Sequence, residues 1–93
     1  MQEIDELIDT CEILRDAVLA KEKEKGFEVV TVFLLQFMRT FGHDRGFMAK
    51  IYPMLERLKE LIQSGAFDEA IAYILALLVL LREANAQDRN GAS

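Results

Sequence analysis

The sequence predicts an all-α fold, a small bundle or array of about four helices completed by homo-oligomerisation. Three observations lead there. Apolar residues recur at three- and four-residue steps through most of the 93 residues. Polar or glycine-containing breaks divide the chain into segments of helical length. Residues 70–81 (AIAYILALLVLL) carry no charge in twelve positions, with Asp68 and Glu69 before them and Arg82 and Glu83 after. At about 1.5 Å per residue such a run is too short for a bilayer core of about 30 Å. A helix apolar on every side needs protein neighbours on most sides, so the remainder of the chain is expected to pack around it.

Size and composition bound the reading. The chain fits one domain, expected to span 1–86, with 87–93 as a polar, disordered tail. Half of the residues are apolar (52%), more than a small monomer comfortably hides, which points to a partner surface. The net charge of −5 argues against nucleic acid, because phosphate binding needs a basic face. Acids are concentrated early: residues 2–25 hold eight against four bases, and 26–63 hold four against five. Cys11 is the only cysteine, which excludes an intrachain disulfide and a thiolate cluster. Residues 1–20 lack the basic start and apolar block of a secretory signal, so a cytoplasmic setting is expected.

The first helix is expected over 2–25. Ile4, Leu7, Ile8, Cys11, Leu14 and Val18 form its stripe, acids crowd its start, and Lys21, Lys23 and Lys25 crowd its end. Gly26 is the expected stop. Residues 27–41 have strand-like composition, yet their polar positions do not alternate. At 100° per residue they leave Val30, Phe33, Leu34, Phe37 and Phe41 on one side, and no second strand-like run exists to pair with them. A second helix follows from that. Gly42-His43-Asp44-Arg45-Gly46 reads as a turn. The third helix carries Phe47, Met48, Ile51, Leu55, Leu58, Leu61 and Ile62 inward. Pro53 is expected to kink it or to start its regular part, and Gly65 closes it. The fourth opens after Phe67 with Asp68 as cap and runs to about Ala84.

His43 is the only histidine and, beside Asp44, the one place with a catalytic look. An exposed turn histidine is the plainer reading. Met38-Arg39-Thr40-Phe41-Gly42-His43-Asp44 resembles the phosphoacceptor stretch of sensor histidine kinases and sporulation-type phosphotransferases. Gly65-Ala66-Phe67-Asp68-Glu69-Ala70 is similar to the turn that opens the second helix of that family's dimerisation hairpin. The resemblance implies that His43 accepts phosphate and Asp44 assists. The family's asparagine after the histidine is absent, with Phe47 and Met48 in its neighbourhood, and Gly42 and Gly46 would interrupt a continuous helix. Gly65 to Tyr73 also resembles the turn and second helix of a tetratricopeptide repeat, although no second copy occurs.

Other chemistry is thin. His43 and Asp44 supply two metal ligands where zinc needs three or four, and no phosphate-cradling glycine loop occurs, so no metal or cofactor is expected. Met38, Met48 and Met54 could line a groove, with core filling the commoner use. Cys11 sits on an apolar stripe and reads as a buried thiol. Tyr52 and Tyr73 are expected to place rings inside and hydroxyls at the rim.

The functional expectation is a non-enzymatic helical protein-interaction or oligomerisation module, adaptor-like, regulatory or chaperone-like. Its first partner would be a second copy, giving a homodimer. Residues 29–38 hold eight apolar positions in ten and 70–81 twelve in twelve, a surplus that association through the second and fourth helices would bury. The expected interaction surface is Val30, Leu34, Phe37, Ile74, Leu78 and Leu81. The alternatives are a phosphotransfer hairpin acting through His43 and a small-ligand pocket between helices, for instance for an acyl chain.

Overall fold

A computed structural model describes residues 2–92, with side chains over 3–87. Four helices follow one another: α1 (Gln2–Leu19), α2 (Lys23–Phe41), α3 (Arg45–Ser64) and α4 (Phe67–Ala92). No strand occurs among the described residues. Each helix packs on its neighbours in sequence, and α4 closes the ring against α1, so the four stand at the corners of an antiparallel bundle. The body measures 42 × 23 × 19 Å.

Each turn follows from local chemistry. Gly65, at φ 82°, ends α3 in a Schellman arrangement: its N–H donates to the Ile62 carbonyl and the Ala66 N–H to that of Leu61. The same arrangement ends α1, but there Lys21 takes the left-handed position at φ 57°. The Lys21 N–H donates to the Val18 carbonyl and that of Glu22 to the Ala17 carbonyl. The chain therefore turns at Ala20–Glu22, and the alternating charges of 23–25 open α2 instead of ending α1. Gly26, expected as a stop, is buried inside α2. A Cβ there would stand 3.3 Å from Ile62 Cγ2 and 3.7 Å from Val18 Cγ2, so the glycine lets three helices approach closely.

Gly42 ends α2 with an ordinary right-handed φ, yet a Cβ would collide with the Met38 carbonyl oxygen. Asp44 caps α3 by accepting from the Phe47 N–H at 3.1 Å. Pro53 lies within α3, which is helical from Arg45 onward. Both Pro53 and Ala49, whose carbonyl loses its helical donor, are on the exposed side where water can serve. The backbone of α4 continues through 87–92, past the point at which a disordered tail was expected; Ser93 lies outside the described residues.

The core collects one stripe from each helix: Leu7, Cys11, Leu14 and Val18; Val30, Phe33 and Phe37; Ile51, Leu55, Leu58 and Ile62; Ala70, Ile74, Leu77 and Leu81. Phe37, Phe41 and Phe47 form an aromatic knot beneath the α2–α3 turn, with centroids 4.9–6.0 Å apart. The expectation of an α4 enclosed on most sides is corrected here. A corner helix has two close neighbours, so the uncharged run is buried at Ala70, Ile74, Leu77, Leu78 and Leu81 but open at Leu75 (47% exposed) and Val79 (56%). No helix among the described residues is long and apolar enough to cross a membrane.

Candidate functional site

The geometry moves the apolar surface away from the residues first assigned to it. Val30, Phe37, Ile74, Leu78 and Leu81 are all sealed in the core, and Leu34 is half-buried. None of the five can meet a partner while the bundle is closed. The large apolar side chains that do face water are others: six of them gather on two faces, while Leu19 at the end of α1 and Tyr52 on α3 stand apart.

The first face spans α1 and α2. Val32, Leu35 and Met38 step along the outside of α2, with Leu35 the most open at 65%. Ile13 of α1 stands beside them across a shallow hollow of about 260 Å³ lined by Thr10, Ile13, Glu28, Val29 and Val32. Exposed acids Glu6, Asp9, Asp16 and Glu28 surround it.

The second face is the outer side of α4. Asp68, Ala72, Leu75, Val79, Arg82 and Ala86 are all exposed and follow one another at steps of four and three residues. That is the spacing of a coiled-coil seam. Glu69, Ala76 and Glu83, also exposed, run along its α3 side. On the α1 side Arg82 lies 3.7 Å from Glu12.

His43 occupies the α2–α3 turn, exposed, at the edge of a hollow of about 390 Å³ shared with Ile4, Thr40, Phe41, Asp44, Ala84 and Gln87. Its neighbours are committed elsewhere. Asp44 holds the start of α3, and Arg39 reaches across to Glu6 of α1 at 3.8 Å. Among the described residues, no group of three or more His, Cys, Asp or Glu could hold a metal ion. The Cys11 thiol is buried and donates to the Ile74 carbonyl at 3.9 Å; burial pushes its pKa up to about 12. A thiol so placed is a packing group. Of the methionines, Met38 is exposed while Met48 and Met54 pack against the core. Tyr73 is half-buried, but Tyr52 lies outside; a hydrogen bond with Glu56 raises its hydroxyl pKa.

The four-three spacing on α4 was legible in the sequence. It was masked because residues 70–81 offer no charged residue to mark the outward side. Comparison with protein-family models, curated proteins and solved structures gives no match to this chain.

Proposed function

We propose that the chain is a non-enzymatic helical module that acts by binding protein, beginning with a second copy of itself. The observation that supports this reading is the exposure of large apolar side chains the fold does not use. Leu35 and Val79 are 65% and 56% exposed, and each stands in a row with further apolar neighbours on its own helix. Contiguous apolar surface of this kind marks interaction sites in soluble proteins, whereas isolated apolar residues do not. Covering it would contribute roughly 25 cal/mol per Å² of apolar area.

The test is absolute mass by light scattering over roughly a hundredfold range of concentration. A concentration-dependent rise from the 10.6 kDa chain toward twice that mass supports self-association. A constant monomer removes the self-association part of the reading.

A further inference from the structure

We infer that the outer seam of α4 pairs with the same seam of a second copy, antiparallel, about a two-fold axis between Leu75 and Val79. This rests on the interaction-module reading above and names its partner and register. A seam with four-three spacing meets a copy of itself by knobs-into-holes packing, and in the antiparallel form each position of one class faces the other class. Centred on its two largest apolar residues, the seam sets Leu75 against the partner's Val79, and Val79 against the partner's Leu75. The next layer places Arg82 against the partner's Ala72.

Charge selects this arrangement. Ala72 is small, so the partner's guanidinium can pass over it to Asp68, one turn away along the same face, exchanging the exposed pair that Arg82 makes with Glu12 of its own chain at 3.7 Å. By symmetry the contact is made twice, at both ends of the apolar centre. A parallel pair would instead stack Asp68 on the partner's Asp68 and Arg82 on the partner's Arg82. The α1–α2 face is a poorer match for its own copy: Arg39 and Arg15 hold Glu6 and Asp16, but with Asp9 and Glu28 the face keeps an acidic excess that would oppose itself. The α4 seam is thus the face whose ends complement each other. One flank remains unfavourable: Glu69 comes opposite the partner's Glu83 at the solvent rim.

The experiment is a dimer dissociation constant from sedimentation or light scattering on the full chain, with circular dichroism confirming that each variant is folded. Leu75 and Val79 are exposed, so Leu75→Glu with Val79→Glu leaves the helical signal intact and weakens the dimer about a hundredfold or more. Asp68→Arg and Arg82→Asp each weaken it about tenfold, and the two together restore it to within about threefold. Glu83→Lys tightens it. Mixed chains carrying Leu75→Cys and Val79→Cys form the heterodisulfide in preference to either homodisulfide. A dimer indifferent to the paired glutamates overturns the inference. If that dimer is broken by Leu35→Glu instead, the self-association reading survives on the other face. A wild-type chain monomeric at every concentration overturns both.

Discussion

Asn85 donates through Nδ2 to Oδ1 of Asp5 at 2.9 Å, joining the far part of α4 to the first turns of α1 across 80 positions of sequence. Asn85 is 8% exposed, so the carboxamide has left water to make the bond. A polar group that deep between two helices lowers stability unless it is paired. The bond therefore also fixes how α4 sits lengthwise on α1.

Replacing Asn85 with Ala is expected to lower stability by about 1–2 kcal/mol, and the melting temperature by about 4–8 °C per kcal/mol. A double-mutant cycle with Asp5→Ala isolates the coupling between the two side chains. Glu12→Gln serves as a contrast. It breaks an ion pair whose side chains are 56% and 37% exposed, and salt-screened pairs of that kind contribute little. Its melting temperature is expected to stay within about 2 °C of the parent.

Lys21 carries a conformational cost that glycine would not. At φ 57° its Cβ crowds the backbone, and only the Schellman bonds around it hold the turn. Lys21→Gly is expected to stabilise the protein by up to about 1 kcal/mol, even though glycine is more flexible when unfolded. Lys21→Val, β-branched, is expected to destabilise it. Thermal denaturation of the pair decides the sign.

Gln36 offers a further gain. It lies on α2, and its side-chain oxygen is buried without a hydrogen-bond partner among the described residues. Methionine has nearly the same length and no such demand. Gln36→Met is expected to raise stability by about 1 kcal/mol, measured as a shift in denaturant midpoint at constant slope.

These residues show where the sequence was readable. The stripes of α1 and α3 were explicit because charged residues separate the apolar positions, and the core holds them as the spacing requires: Leu7, Cys11, Leu14 and Val18; Ile51, Leu55, Leu58 and Ile62. Gly65 was readable as a stop because it follows the polar pair Gln63-Ser64 at the end of an apolar stripe. The α1–α2 turn was hidden, since a lysine occupies the left-handed position while the nearest glycine, Gly26, is needed for close packing five residues later. The interaction surface was hidden for a different reason. Spacing says which residues share a side of a helix, but where 70–81 lack any charge it cannot say which side a neighbour covers. Ile74 and Leu75 look alike in sequence and differ only in what the bundle sets against them.

Cys11 makes the packing of α1 on α4 measurable through pH. Its thiol is held up to about 12 by burial, with the Glu12 carboxylate adding to the effect, against an ordinary 9.0 when exposed. The folded state therefore keeps a proton that the unfolded chain releases above pH 9. The stabilisation is complete below that point and is lost as pH rises toward 12, at about 1.4 kcal/mol per pH unit. Other groups titrate in the same range, so the informative quantity is the difference from Cys11→Ala, which lacks the thiol. Between pH 8 and about 10.5 the parent is expected to lose roughly 2 kcal/mol more than the variant by denaturant unfolding. Parallel losses in the two chains would mean that the thiol ionises in the folded protein, and that α4 does not seal α1 at Ile74.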